Sequence, residues 1–257
     1  MYFDTHAHYY DEAFDLDRDA VLAALPSKGV GYVLCPGCDC ATSQAAIALA
    51  ERYPHVYAAV GFHPENLEGA QLGDLAELRA LAQNPRVRAV GEIGLDYYWE
   101  KDPNRRSTQR DFFAAQLDLA AELDLPAIVH DREAHGDTLA LLRAHPGTRG
   151  VMHCYSGGAE DAKTLVHLGW MLSFTGSITF KNARKAPEVL AYLPMERIML
   201  ETDAPYMAPE PFRGKRCDSG YLYRTAQVLA EIKGLPVAEV ERITTENAKQ
   251  FFGIQEE

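Results

Sequence analysis

The sequence contains no apolar run near the roughly 20 residues that a membrane-spanning helix needs. Its opening stretch, MYFDTHAHYYDEAF, has neither a basic start nor the apolar segment of a secretion signal. Cysteine is scarce: five in 257 residues, too few and odd in number for a disulfide framework. These absences lead us to expect a reduced, cytoplasmic protein. Positive charge is also in short supply, with 25 Lys and Arg against 37 Asp and Glu and a net charge of −12. That balance argues against a broad surface for long duplex nucleic acid. It leaves room for a phosphate-bearing substrate held at one locally positive mouth. Linkers rich in Pro, Gly or Ser, low-complexity stretches and blocks of like charge are missing as well. A single domain over residues 1–257 is therefore expected.

What is present is an alternation. Short apolar, β-branched runs lie at Met1–Asp4, Val30–Cys35, Val56–Val60, Val87–Glu92, Ala127–His130, Gly150–His153, Trp170–Phe174 and Ile198–Glu201. They read as strands buried on both faces. Between them, apolar residues recur at helical spacing in Leu16–Lys28, Ala41–Arg52, Leu72–Gln83, Ser107–Leu123, Ala134–Ala144, Ala159–Leu168, Lys181–Tyr192 and Gly220–Lys233. A last helix fits Pro236–Phe252. Eight strand–helix repeats predict the α/β class and a closed (β/α)8 TIM barrel. An open doubly wound sheet would place a glycine-rich loop after the first strand, where this chain has His-Ala-His.

Ligand-type residues sit at one structural level. His6 and His8 follow the first strand, and side chains at i and i+2 of an extended segment share a side. Asp4 continues that alternation beneath them. Glu92, His130 and His153 close the fourth, fifth and sixth apolar runs, and Asp203 follows the eighth. In a barrel these ends form the rim where active sites lie. Six donors exceed what one open catalytic metal takes and suit two divalent ions. The expected arrangement places His6, His8 and Asp203 on one ion, His130 and His153 on the other, and Glu92 on both. A bridging water, made hydroxide at neutral pH, would attack the substrate, with Asp203 taking its proton. The donors suit Zn, Mn or Co better than Mg.

This constellation resembles the amidohydrolase superfamily, many of whose members carry a carboxylated lysine on strand 4. Here the residue is Glu92. With GFHP (61–64), GEIGLDYY (91–98), HDREA (130–134), HCYSG (153–157), ETDAPY (201–206) and RGKR (213–216), the whole chain is similar to the TatD family of metal-dependent deoxyribonucleases. The resemblance implies a TIM barrel, a divalent-metal centre built from those six residues and phosphodiester hydrolysis, often as an exonuclease on DNA. The loop after RGKR departs from the family pattern at Cys217, Asp218 and Ser219, and Tyr155 stands where Phe is common.

Substrate contacts are sought on the rim, where three loops carry an excess of basic residues. Arg213, Lys215 and Arg216 are the leading phosphate contacts, since glycine lets the chain approach closely. His63 is a candidate phosphate or leaving-group contact, or else orders its loop. Glu201 is expected to orient a ligand imidazole from behind. Tyr97, Tyr98 and Trp99 either stack a base or pack under their loop. Cys35, Cys38 and Cys40 form Cys-x-x-Cys-x-Cys with no histidine nearby in sequence, and are expected to be a reduced loop. The expected substrate is DNA or another phosphodiester, single-stranded or at chain ends, with no membrane and no obligate protein partner. The alternatives are an ester hydrolase on the same metals, such as a D-aminoacyl-tRNA deacylase, and a metal-bearing binding scaffold.

Overall fold

The computed structural model describes residues 1–255. Eight parallel strands run β1 Tyr2–Asp4, β2 Val30–Pro36, β3 Val56–Val60, β4 Val87–Asp96, β5 Ala127–Arg132, β6 Gly150–Met152, β7 Met171–Phe174 and β8 Ile198–Leu200. Each pairs with the next in chain order. The circle is drawn together where β1 meets β8. Thr5 N–H donates to Leu200 C=O, Asp203 N–H donates to His6 C=O, and Ala7 bridges Ala204 in parallel. The predicted (β/α)8 TIM barrel is the observed fold.

The surrounding helices are α1 Arg18–Ala24, α2 Cys40–Arg52, α3 Leu75–Leu81, α4 Pro103–Glu122, α5 His135–Ala144, α6 Ala159–His167, α7 Lys185–Tyr192, α8 Leu222–Lys233 and α9 Val237–Phe251. Several differ from the expected spans for local reasons. α1 stops before Pro26, which opens a short 3-10 turn closed by Gly29 in the left-handed region, and Leu16 is fully exposed. α3 starts late because Leu72–Asp74 winds as a 3-10 turn. α4 starts early because Asp102 accepts from Asn104 and Arg105 N–H, with Pro103 in the first turn.

Inside the barrel, Phe3, Leu34, Tyr57, Ala59, Ala89, Ile128, Val151, Met171 and Met199 form one buried cluster. Ala248 of α9, with Phe252 and Ile254 just beyond it, closes that cluster. The other strand faces pack against the helices in two larger apolar clusters. This leaves the opposite mouth for polar groups. No helix among the described residues is long and apolar enough to cross a membrane.

β4 is longer than the expected Val87–Glu92. Ile93 to Asp96 continue pairing with Val129 to Arg132 of β5 after a register shift between Val90 and Ile93. Glu92 therefore lies within the strand, not at its end. Gly94 makes this possible. Its φ is +138°, and a Cβ there would stand 2.0 Å from His130 O. Gly94→Ala should cost about 3 kcal/mol in urea unfolding, through backbone strain and forced separation of β4 from β5. A loss below about 0.5 kcal/mol would show that the two strands part freely.

Candidate metal centre

The strands bring the six candidate ligands into one cluster, five of them lining a cavity and His6 buried beside it. His6 and His8 lie in an extended stretch held on both sides: Ala7 N–H donates to Leu34 C=O and His8 N–H to Ala204 C=O. Their Nε2 atoms face each other at 3.1 Å. Glu92 Oε2 lies 3.1 Å from His6 Nε2 and 3.5 Å from His8 Nε2. Asp203 Oδ1 is 3.9 and 3.5 Å from the same two nitrogens. Two imidazole nitrogens can share only one proton, so four converging donor atoms around such a pair fit a cation better than a hydrogen-bond network.

The other oxygen of Glu92 faces a second group. Oε1 lies 3.0 Å from His130 Nδ1 and 3.7 Å from His153 Nε2. One carboxylate thus stands between two sets of imidazoles. His6 and His153 stack at 3.6 Å between ring centroids, and His6 Nδ1 is a buried nitrogen with no hydrogen-bond partner among the described residues. Nitrogen and carboxylate donors in this number suit a borderline divalent ion.

Burial pushes the Glu92 carboxyl up, but His6, His63 and His153 and the hydrogen bond from His130 outweigh it and hold it well below the usual range. Burial likewise opposes ionisation of Asp203, and His8, His153 and His6 hold it below its ordinary value. His130 is disfavoured as a cation by burial, yet Asp96 and Glu92 raise it to about 10. For His153, burial is outweighed by Glu201 and Glu92, which raise it to about 9.

A further layer of carboxylates positions this set. Asp4 is fully buried. It accepts from His6 N–H at 3.3 Å and Thr202 N–H at 2.9 Å, tying the histidine stretch to the loop that carries Asp203. Burial, opposed by hydrogen bonds from Ser219 and Thr202, raises its carboxyl to about 7. Glu201 Oε1 accepts from Cys154 N–H at 2.6 Å. It also lies 2.8 Å from His153 Nδ1, an ion-pair distance that falls short of hydrogen-bond alignment. Asp203 itself has φ +58°, a left-handed conformation at a non-glycine residue.

His63 orders its loop and faces the cavity at once. Its Nδ1 accepts from Glu65 N–H at 3.2 Å, so Nε2 carries the proton. That nitrogen points to Glu92 Oε1 at 3.5 Å, as a donor and not as a ligand. The basic run lies elsewhere. Arg216 is paired with both oxygens of Asp17 at 2.7 Å. Arg213 lies 4.2 Å over the Phe180 ring. Neither these nor Lys215 lines the cavity of about 640 Å³ around the histidines, which Arg132 does line.

Asp96 was not among the expected site residues. Its Oδ2 lies 3.1 Å from His130 Nε2. Strand alternation held the signal, since Glu92, Gly94 and Asp96 share one side of β4. The cysteines also read differently in three dimensions. All five are free, but Cys38 has a histidine for a neighbour: its Sγ is 3.3 Å from Tyr10 OH, which is 2.8 Å from His8 Nδ1.

The TatD related DNase family matches residues 3–253. The chain belongs to this family. The metal-dependent hydrolase YabD of Bacillus subtilis is 40% identical, the alignment covering 99% of this chain and 100% of YabD. The 3'-5' ssDNA/RNA exonuclease TatD of Escherichia fergusonii is 32% identical, covering 98% of this chain and 99% of that one. The crystal structure of YjjV, a TatD homologue from Escherichia coli, superposes with a TM-score of 0.92 at 33% identity, covering 99% of this chain and 98% of that one. The protein is accordingly a TatD-type metal-dependent hydrolase.

Against the cost of burial, neighbouring carboxylates raise His130 to about 10 and His153 to about 9, and His8 is likewise held well above its ordinary value, which favours the protonated imidazoles in the metal-free protein. A metal must displace those protons, so its apparent affinity should rise with pH through the range in which these imidazoles titrate. Calorimetric titration in buffers of different ionisation enthalpy should show release of about three protons, from His8, His130 and His153. A binding enthalpy identical in every buffer would contradict this assignment.

Proposed function

We propose that this TatD-type hydrolase is a two-metal phosphodiesterase that removes nucleotides from the ends of single-stranded nucleic acid, DNA foremost. Glu92 carries the proposal, because its two oxygens divide between the His6/His8 and the His130/His153 groups. His6, His8 and Asp203 would hold one ion, His130 and His153 the other, and Glu92 both. Such a pair supplies Lewis acidity toward a phosphodiester oxygen and lowers the pKa of a nearby water.

The chain's own groups divide the remaining work. Asp203, 17% exposed where Glu92 is 4%, stands nearer the open cavity and is kept ionised. It is the group placed to accept the proton of the attacking water. His63 presents Nε2–H as a donor to a phosphate or leaving oxygen. Glu201 and Asp96 fix the rings of His153 and His130. A cavity of about 640 Å³ admits a chain end of nucleotide size, and the net charge of −12 does not favour wrapping a duplex. The ssDNA/RNA exonuclease named among the relatives supports the same substrate class.

The test is metal analysis alongside a panel of single-stranded DNA, RNA, D-aminoacyl-tRNA and nitrophenyl esters. Two ions per chain and cleavage of single-stranded ends are expected. His130→Ala should lower metal content toward one ion and cut turnover by roughly 100-fold or more. Full activity with both ions retained would overturn the ligand assignment, and turnover confined to the acyl substrates would replace phosphodiester with ester hydrolysis.

A further inference from the structure

The loop after β4 is built around Asp96, which anchors more than His130. Asp96 Oδ1 accepts from Trp99 N–H at 2.8 Å while Oδ2 meets His130 Nε2 at 3.1 Å. One buried carboxylate therefore sets a candidate metal ligand and the backbone of Trp99 in fixed relation. Tyr97 is turned into the protein: its hydroxyl donates to Asp137 at 2.7 Å and accepts from Arg110 at 3.0 Å, and the Arg106 guanidinium covers its ring at 4.4 Å. Tyr98 and Trp99 are left facing outward, 40% and 62% exposed.

Arg132 lies against them. It follows His130 by two residues on β5 and so shares its side of the strand. Its guanidinium is 4.1 Å from the Tyr98 ring centroid and 5.6 Å from that of Trp99. Its charge rests on ring faces and not in a carboxylate pair, whereas Arg216 and Arg110 are engaged by Asp17 and Asp137. Trp99 and Arg132 both line the cavity that holds His8, Glu92, His130 and Asp203. Arg132 is the one Lys or Arg among the described residues lining it. An exposed indole beside a guanidinium that no carboxylate holds in an ion pair, with Glu65 its acidic neighbour in the cavity, matches a ligand that carries a planar aromatic group and an anion together.

We infer that Trp99 and Arg132 form a nucleotide clamp at the mouth of the metal centre. The indole stacks on one base of the strand, and the guanidinium takes an adjacent phosphate. The clamp rests on the phosphodiesterase proposal and adds to it a requirement for an unpaired, base-bearing residue. Bases within a duplex are already stacked on their neighbours and offer no free face to Trp99. The sequence alone left the three aromatics open between stacking and packing. The geometry divides them: Tyr97 packs, Tyr98 supports Arg132, and Trp99 stacks.

The protein holds two tryptophans. Trp170 is 2% exposed, so ligand-dependent quenching of emission reports on Trp99. The metal-loaded protein would be titrated with a labelled single-stranded phosphorothioate oligodeoxynucleotide and with its abasic twin. Affinity is read by anisotropy and stacking by emission. The base-bearing strand should quench and bind about tenfold more tightly than the abasic one. Trp99→Ala should abolish that preference. Arg132→Ala should weaken both strands and flatten the salt dependence, with metal content unchanged in each variant. Equal binding of the two strands by the wild type, or a tenfold preference surviving in Trp99→Ala, would overturn the clamp. Cleavage of the corresponding phosphodiester strand is followed in parallel. Cleavage together with equal binding removes the clamp and leaves the phosphodiesterase standing. Failure to cleave any strand overturns the phosphodiesterase and the clamp with it.

Discussion

A buried, ionised carboxylate in the middle of a strand is costly unless cationic or hydrogen-bonding groups surround it, and Glu92 is such a carboxylate. It is buried, with His6 and His8 on one oxygen and His130 and His153 near the other. Everything else at the mouth of the barrel keeps that arrangement in register. β4 must run past Glu92 to Asp96, Gly94 must let β5 approach, and the histidine stretch after β1 must stay extended between β2 and the loop after β8. Each of these is a backbone condition, and each places one donor atom.

The carboxylates behind the histidines give the centre its rigidity. Asp4 joins the two ends of the barrel circle through His6 and Thr202. Glu201 and Asp96 stand behind His153 and His130. Rings fixed from behind present one nitrogen forward, which is the preorganisation a metal centre needs. Asp96 extends the same control outward to Trp99. The candidate metal centre and the outer rim of the cavity therefore share one anchor.

Most of the fold was legible because buried parallel strands write themselves as continuous apolar runs, and eight of them alternated with helical patterns. The six candidate donors were legible because Glu92, His130 and His153 closed such runs and His6, His8 and Asp203 followed them. Helix ends were less so. The end of α1 and the starts of α3 and α4 depended on short 3-10 turns and on the cap supplied by Asp102, which apolar spacing does not record. The basic run at Arg213 to Arg216 looked like a phosphate track because charge can be counted in sequence, whereas pairing cannot: Arg216 is taken by Asp17 across nearly two hundred residues.

The order of strands and helices, the identity of the candidate donor residues and their level on the barrel were set by local rules, namely side-chain alternation along strands and apolar periodicity along helices. The division of Glu92 between two imidazole groups, the approach of Cys38 to Tyr10 and His8, and the joint placement of His130 and Trp99 by Asp96 were decided only in the folded chain. These are contacts between segments whose separation in sequence carries no energy of its own. They arise when closure of the barrel fixes which strand ends face one another, because hydrogen-bond and Coulomb terms act over a few ångströms of space, whatever the distance along the chain.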